Sequence, residues 1–240
     1  MRVDGRTPKE LRDLRLELDF TENPLGSVLC RLGRTVVLCT VCAEESVPRF
    51  LQGSGRGWIT AEYSLLPGST DRRVDREASR GKVTGRTQEI QRLIGRSLRS
   101  VADLGALGER TFHVDCDVLQ ADGGTRTASI IGAYTALAHA VGRLVEDGVL
   151  DRSPLREGIA AISVGMVGGE PLLDLCYAED SKADVDMNVV ATASGRLAEV
   201  QGTGEEATFT REELDAMIGL ALDGIGRIVE IQQKVLGGSA

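Results

Sequence analysis

The order of predicted elements constrains the fold more than any other feature, because several strands followed by a helix occur twice along the chain. Alternating apolar and polar residues, or runs of β-branched residues, predict the strands, and helical periodicity predicts the helices. The predicted strands of the first half are 14–20, 26–32, 35–43 and 58–66, with a helix at about 84–103. After these come strands at 111–119, 160–167, 172–177, 183–192 and 196–201, and helices at about 125–146 and from 210 onwards.

This order predicts an α+β fold in which a unit of sheet plus helix is duplicated. We expect a single domain over residues 1–240, with pseudo-duplicated halves at about 10–108 and 109–238 and no disordered linker. The last helix carries its own start signal, since Thr210 and Glu213 have the spacing of a capping box. Phe209 and Leu214 are placed as the accompanying hydrophobic staple.

The composition is that of an ordinary globular protein, with 42% hydrophobic and 27% charged residues. No apolar run approaches the roughly 18 residues that a membrane span needs. The first residues lack the apolar region of a secretory signal. Five cysteines are an odd number, which argues against a disulfide framework. These features predict a cytoplasmic protein that does not contact membranes.

Cys39 and Cys42 have the Cys-x-x-Cys spacing of redox and zinc sites, but they fall within a predicted strand. Residues three apart on a strand point to opposite faces, so the two sulfurs cannot share a metal ligand. The only histidines, His113 and His139, form no second cluster. The spacing therefore does not predict a zinc site.

Charge is distributed unevenly along the chain. The net charge of −8 disfavours a protein that coats nucleic acid through bulk electrostatics. Between Asp71 and Arg99, however, nine basic and four acidic residues give a local charge of +5. This segment is either a binding site for a polyanion or a solvated helix face, and charge alone does not separate the two.

The two central helices begin with the same pattern, Arg-Thr-x-x-Ile, at Arg86 and at Arg126. At about 100° per residue, an arginine four residues before an apolar stripe projects from the first turn on the same side as that stripe. Both arginines are therefore predicted to face inward. Three other arginines lie on the opposite face of the first helix, where we expect solvent or a second subunit: Arg92, Arg96 and Arg99.

The run Gly123-Gly124-Thr125-Arg126 has the features of an anion site. A helix N-terminus offers unfilled N–H groups and about half a positive charge. The glycines let the backbone approach a ligand closely, Thr125 adds a hydroxyl, and Arg126 can bind two phosphate oxygens. An inward arginine needs a partner, because an unpaired buried charge costs several kcal/mol. A carboxylate partner would make Arg126 part of a structural salt bridge instead.

Four acidic residues form a second group: Glu179, Asp180, Asp184 and Asp186. Asp184 and Asp186 alternate on a predicted strand and are expected to share a face. One interpretation is a solvated strand edge. The other is a Mg²⁺ site, because Mg²⁺ binds one or two carboxylates together with substrate phosphates. An anion site and a Mg²⁺ site together suit phosphoryl transfer, which depends on positioning and charge neutralisation.

Several longer motifs resemble the bacterial ribonuclease PH family, and the resemblance covers essentially the whole chain. They occur in the family's order and spacing: Gly57-Trp-Ile-Thr-Ala-Glu-Tyr63, Gly85-Arg-Thr-Gln-Glu-Ile90, Asp115-Cys-Asp-Val-Leu-Gln-Ala-Asp-Gly-Gly-Thr-Arg-Thr127, Val185-Asp-Met-Asn-Val189 and Glu199-Val-Gln-Gly-Thr203. The resemblance implies the ribonuclease PH type of fold, a ribosomal-protein-like two-layer arrangement. It also implies a phosphate-dependent 3′-to-5′ exoribonuclease that trims tRNA precursors and other RNA 3′ ends, releasing nucleoside diphosphates.

The resemblance also assigns residues and partners. Phosphate, the co-substrate, is expected at Arg86, Gly124, Thr125 and Arg126. The carboxylates associated with catalysis and with Mg²⁺ or another divalent cation are Asp180 and Asp186. The family uses arginines at the positions of Arg73 and Arg76 on RNA. Its further arginine in a Leu-Pro-Arg turn is replaced here by Gly68, a loss that Arg72 can partly offset. The family assembles as a homohexameric ring, a trimer of dimers.

Two other functions remain open at this stage. A non-catalytic ring subunit of the exosome type would be expected to lack the phosphate arginines or the carboxylate pair, and this sequence has both. A scaffold that retains RNA without degrading it would bind RNA tightly whether or not phosphate is present.

Overall fold

Two β-sheets enclose a long central helix in the computed structural model, which describes residues 2–204 and 207–237. The first sheet contains β1 (Leu14–Leu18), β2 (Gly26–Leu32), β3 (Thr35–Glu44), β4 (Trp58–Leu65) and β5 (Thr111–Gln120). Their order across the sheet is β1-β2-β3-β5-β4. Neighbouring strands are antiparallel except β4 and β5, which are parallel because the helix at Gly85–Ser100 crosses over between them.

The second sheet contains β6 (Ile159–Val167), β7 (Glu170–Leu173), β8 (Val185–Thr192) and β9 (Leu197–Gly204). Their order is β7-β6-β8-β9, and all pairs are antiparallel. The turn between β6 and β7 consists of Gly168 and Gly169, whose φ angles are 59° and 80°. Two consecutive residues in the left-handed region are what a tight hairpin of this kind requires, and glycine supplies them without strain.

Three long helices pack on these sheets: α2 (Gly85–Ser100), α3 (Thr125–Glu146) and α5 (Arg211–Gly237). Shorter helical segments are α1 (Glu77–Arg80), α4 (Tyr177–Asp180) and a 3₁₀ turn at Arg49–Leu51. Helix α2 covers β4, and α5 covers β6 and β7. Helix α3 contacts β2 and β3 on one side and β6 and α5 on the other. The predicted α+β class is confirmed.

Helical periodicity places Ile130, Tyr134, Leu137, Val141 and Leu144 on one apolar stripe of α3, but the buried surface of the helix extends well beyond that stripe. Every residue from 127 to 137 is buried, because both sheets and α5 surround this part of the helix. By length and mean hydropathy α3 is apolar enough to cross a membrane, although 67% of its most apolar window is buried inside the protein. The expectation that no run reaches this length and apolarity was therefore wrong for α3, which is a core helix.

Most predicted boundaries lie within a few residues of the observed ones, and those of β2 and α3 coincide with them. The strand predicted at 172–177 is wrong at its end. Asp174 adopts a left-handed conformation with φ of 56°, which ends β7 at Leu173 and leads the chain into α4. The capping box of the last helix is confirmed, since Thr210 and Glu213 exchange hydrogen bonds of 2.7 and 3.2 Å.

Two smaller predictions have different outcomes. Cys39 is fully buried and Cys42 is exposed, so the two sulfurs lie on opposite faces of β3 as predicted. Arg99, predicted to face solvent or a subunit, instead donates to the carbonyl of Ile59 at 2.7 Å and stacks on Trp58.

The equivalence of residues 10–108 and 109–238 as duplicated halves stays a prediction. Strand β5, which follows residue 108, lies inside the first sheet.

The close packing of α3 on the first sheet gives a testable expectation for its glycines. A Cβ added at Gly132 would lie 2.6 Å from Cys39 Sγ and 3.0 Å from Cys30 Cβ. Gly132→Ala should therefore lower the free energy of unfolding by about 1–3 kcal/mol through overpacking. Gly142→Ala is the matched control on the same helix, because its Cβ meets nothing within 4 Å. It should be neutral or stabilising by up to about 1 kcal/mol. Equal stability of the two variants in urea unfolding would contradict this account of the packing.

Candidate active site

A cleft of about 330 Å³ opens between β4, the first turn of α3 and the second sheet. It brings together side chains from both sheets that are far apart in the sequence. Six of the nine predicted site residues line it: Arg86, Gly124, Thr125, Arg126, Asp180 and Asp186. The other three, Arg72, Arg73 and Arg76, are exposed and do not line it.

The loop at 122–124, which precedes α3, has its carbonyls turned into the protein. The Gly123 carbonyl accepts from Thr35 Oγ1 at 2.7 Å, and the Asp122 carbonyl accepts from Arg12 Nη1 at 2.7 Å. No other described residue accepts a hydrogen bond from the N–H groups of Gly123, Gly124 or Thr125. Unfilled donors at a helix N-terminus are the groups that can bind an anion.

Only glycine fits this loop. Gly123 and Gly124 have φ angles of 74° and 65°, in the region that L side chains rarely adopt. A Cβ at Gly123 would lie 2.7 Å from the backbone nitrogen of Tyr177, and one at Gly124 would lie 2.9 Å from Arg12 Nη2. The loop therefore packs directly against the chain that leads into α4, so the two sides of the cleft touch here.

Thr125 is held in place from β4. The hydroxyls of Tyr63 and Thr125 are 2.8 Å apart and form a buried hydrogen bond. Burial raises the pKa of the Tyr63 hydroxyl, although the bond to Thr125 and the positive charges of Arg86 and Arg126 oppose the shift. Tyr63 therefore stays protonated and acts as a hydrogen-bonding partner rather than as a charge.

The two arginines differ in their surroundings. Arg126 Nη1 donates to Gln201 Oε1 at 3.0 Å and lies 3.4 Å from Glu89 Oε1. The carboxylate partner that a structural salt bridge requires is thus present, but the contact is long and the Glu89 side chain is 37% exposed. Arg86 is exposed and lines the cleft, and no hydrogen bond or ion pair joins it to another residue in the described part of the chain.

The carboxylate side of the cleft is formed by Asp180 at the end of α4 and Asp186 on β8. Asp186 and Asn188 alternate along β8 and both line the cleft. Asp184 does not share this face as predicted. It precedes β8, and its carboxylate accepts from the N–H of Gly168 at 3.2 Å, outside the cleft.

Glu179 is also removed from the cleft, because its carboxylate is buried against Arg2. Two hydrogen bonds of 2.8 and 2.7 Å join them. Burial alone would raise the pKa of Glu179, but the bonds from Arg2 and from the N–H of Cys176, with the charge of Arg6, hold it below its usual value. Glu179 therefore anchors α4, whereas the next residue, Asp180, faces the cleft.

The carboxylates of the cleft suit a hard cation in number and type. Residues 2–204 and 207–237 contain no group of three or more His, Cys, Asp or Glu side chains that could hold a metal ion. Mg²⁺ does not need such a group, since it commonly takes one or two carboxylates and completes its coordination with substrate phosphates and water. Asp180, Asp186 and the amide of Asn188 offer oxygen ligands of the kind it prefers.

The three predicted RNA-binding arginines lie in the segment between β4 and α2. Arg73 forms an exposed ion pair with Asp75 at 2.7 Å. Arg76 lies close enough to Asp117 for its charge to oppose the rise in the pKa of that carboxyl that burial causes. Thr70, from the same segment, lines the cleft. This segment therefore leads from the exposed arginines to the cleft.

Sequence reasoning missed several residues of this region. Asn188 could have been found from strand alternation with Asp186, and Ser163 is a polar residue within the apolar strand β6. Tyr63 ends the motif Gly57–Tyr63, but its spacing gave no indication of a role. Arg12 had no local signal, because its partner Asp174 is 162 residues away in the chain.

Comparison with known proteins extends these observations. The profile described as "3′ exoribonuclease family, domain 1" matches residues 10–141, and "3′ exoribonuclease family, domain 2" matches residues 159–224. Ribonuclease PH of Bacillus velezensis is 58% identical over 238 residues, covering 99% of this chain and 97% of the relative. Ribonuclease PH of Bacillus subtilis is 57% identical over 240 residues, covering 100% and 98%.

Solved structures share the fold at lower identity. Rice Rrp46 superimposes with a TM-score of 0.81 at 22% identity, covering 98% of this chain and all of that one. The Archaeoglobus fulgidus exosome with RNA bound to its active site gives 0.80 at 23% identity, covering 95% and 91%. Both family profiles match in order, and the relatives align along nearly the whole chain. This chain therefore belongs to the 3′ exoribonuclease family and, within it, to the ribonuclease PH group.

Proposed function

We propose that the cleft between the two sheets is the phosphorolytic centre of this protein. The observation that carries the proposal is that groups able to bind an anion and groups able to bind a cation line the same cleft. One side offers unfilled N–H groups and two arginines, and the other offers two carboxylates. A site that must bring two anions together and stabilise the charge of the transition state needs both.

The overall activity follows from membership of the ribonuclease PH group. The chain is a phosphate-dependent 3′-to-5′ exoribonuclease that processes tRNA, and inorganic phosphate is its co-substrate. RNA is its substrate, and the relatives in fold point to a ring-type assembly. We further propose a homohexameric ring, a trimer of dimers, as the family resemblance implies. The odd number of cysteines supports our proposal of a cytoplasmic location.

In the proposed reaction, phosphate lies against the N–H groups of Gly124 and Thr125, and Arg86 and Arg126 bind its oxygens. One phosphate oxygen forms a bond to the phosphorus of the last phosphodiester. The bond from that phosphorus to the 3′ oxygen of the preceding nucleotide breaks, and the 3′ oxygen takes up a proton. The terminal nucleotide leaves as a nucleoside diphosphate, and the RNA is one residue shorter.

Asp180 and Asp186 are the residues that would hold Mg²⁺ or another divalent cation. A cation bound there would neutralise part of the negative charge of the phosphate groups. The alternative role for Asp186 is that of the general acid that protonates the leaving 3′ oxygen. The exposed arginines between β4 and α2 guide the 3′ strand towards the cleft, because single-stranded RNA binds through its phosphates.

Phosphate dependence tests the main proposal. The protein is incubated with a tRNA that carries extra 3′ nucleotides, with and without phosphate, and the products are separated. We expect shortening only with phosphate, with nucleoside diphosphates as products. Arg126→Ala should lower kcat/KM for phosphate by about 100-fold or more, because a charged donor to the phosphate is lost. Arg211→Ala, at a side chain 86% exposed on α5, is the matched control and should retain activity.

Two results would contradict the proposal. Equal shortening without phosphate, giving monophosphates, would mean hydrolysis. Tight RNA binding without any phosphate-dependent shortening would favour a non-catalytic ring subunit or an RNA-retaining scaffold. Sedimentation of each variant checks that the assembly is intact.

The metal assignment is tested by a neighbouring pair of aspartates. Asp186 lines the cleft, and Asp184, two residues earlier, bonds to Gly168 outside it. Asp186→Asn should raise the Mg²⁺ concentration needed for half-maximal activity by about tenfold or more. Asp184→Asn should leave it unchanged. A lower kcat in Asp186→Asn with an unchanged Mg²⁺ requirement would assign the residue as the general acid instead.

The RNA arginines are tested by salt dependence. Arg73→Ala and Arg76→Ala should each weaken RNA binding and reduce the slope of log affinity against log salt by about 0.7, the value for one phosphate contact to a single strand. The loss of RNA affinity in Arg72→Ala measures how far Arg72 replaces the family's arginine at the position of Gly68. The KM for phosphate should stay constant, since none of these side chains lines the cleft. Unaltered RNA affinity in all three variants would contradict their role.

A further inference from the structure

A buried ion pair lies behind the phosphate loop, on the side away from the cleft. Arg12 and Asp174 are 6% and 0% exposed. Arg12 donates to the Asp174 carboxylate through Nη2 at 2.7 Å, through Nε at 3.0 Å and through its backbone nitrogen at 2.8 Å. Replacing a buried ion pair by apolar residues is often neutral or stabilising, so stability alone does not account for it. Its geometry suggests another role.

The free arm of the Arg12 guanidinium reaches the phosphate loop. Nη1 donates to the carbonyl of Asp122 at 2.7 Å and lies 3.4 Å from that of Gly123. Thr35 supports the same loop, since its hydroxyl donates to the Gly123 carbonyl at 2.7 Å and accepts from the Asp122 N–H at 2.9 Å. Carbonyls held inward leave the following N–H groups directed at the cleft.

The other end of the pair leads to the carboxylate side. The Asp174 carbonyl accepts from Arg2 Nη2 at 2.9 Å and from Arg6 Nη2 at 3.0 Å. Six residues later the chain reaches Asp180, through α4, which the Arg2–Glu179 pair anchors. The N-terminal arginines thus fix the chain on which the carboxylate side is built.

We propose that Arg12 is a positioning residue for phosphorolysis, which holds the 122–124 loop in its phosphate-binding conformation and, through Asp174, fixes that loop relative to the carboxylate side of the cleft. The inference rests on the proposed function of the cleft. Arg12 itself does not touch the phosphate. Its rigid fork of donors bonds the carboxylate and the loop at the same time, which the single ammonium of lysine cannot reproduce.

The first test compares two Arg→Lys variants near the N-terminus. Arg12→Lys keeps the charge but loses the fork, and should raise the KM for phosphate by about 10- to 100-fold, because a loop displaced by about 1 Å binds its ligand poorly. The KM for RNA should not change. Arg15→Lys is the control, since Arg15 is 77% exposed and pairs with Asp13 on the surface. It should behave as wild type.

A second pair of variants decides the question if Arg12→Lys does not fold. Thr35→Val keeps the shape of the side chain but removes both hydrogen bonds to the loop, and it should raise the KM for phosphate as Arg12→Lys does. Thr35→Ser keeps the hydroxyl and should have a KM for phosphate close to that of the wild type. A purely structural role would instead lower the melting temperature of Thr35→Val and leave the KM for phosphate unchanged, and that result would overturn the proposal.

Arg126→Ala separates the two levels of the inference. Suppose that Arg126→Ala lowers kcat/KM for phosphate as expected, while folded Arg12→Lys and Thr35→Val keep the wild-type KM for phosphate. In that case only the positioning role fails. If Arg126→Ala also keeps the wild-type KM, the proposed phosphate site fails, and the positioning role fails with it.

Discussion

The burial of α3 between the two sheets is the constraint on which the rest of the structure depends. The helix contacts β2 and β3 on one side and β6 and α5 on the other, so it cannot rotate or slide without disturbing both sheets. Its first turn is therefore fixed at the cleft, where Gly124, Thr125 and Arg126 form part of the lining. The packing of α3 in the core, rather than the surrounding loops, therefore holds this side of the cleft in place.

Opposite charges lie close together at this opening. Arginines from α2 and α3 line one side of the cleft, and the carboxylates of Asp180 and Asp186 line the other. Charges that would compete with them are removed by burial in other pairs, such as Arg2 with Glu179 and Arg12 with Asp174. An acidic protein can in this way present a local cluster of arginines, because individual charges are placed by the fold and not by the net charge.

Much of the fold could be predicted from the sequence, because strand alternation and helical periodicity are local signals. The bounds of β2 and α3 coincide with their predictions, and the capping box at Thr210 formed as expected. The errors occur where long-range contacts override local pattern. The left-handed turn at Asp174 ends β7 early because its carboxylate is bound by Arg12, and α3 is buried on every side because a second sheet covers it.

By itself, the sequence predicted the candidate residues of the cleft. Glycines at a helix start and arginines in a first turn are recognisable from residue type and spacing, whereas the family resemblance indicated Asp180 together with Asp186. Only the tertiary structure decided that Asp186 and not Asp184 faces the cleft, and that Arg12 and Thr35 hold the loop at 122–124. The physical reason is distance along the chain. The Arg12–Asp174 bond joins residues 162 positions apart, and no local pattern encodes a contact that forms only when the two sheets close around α3.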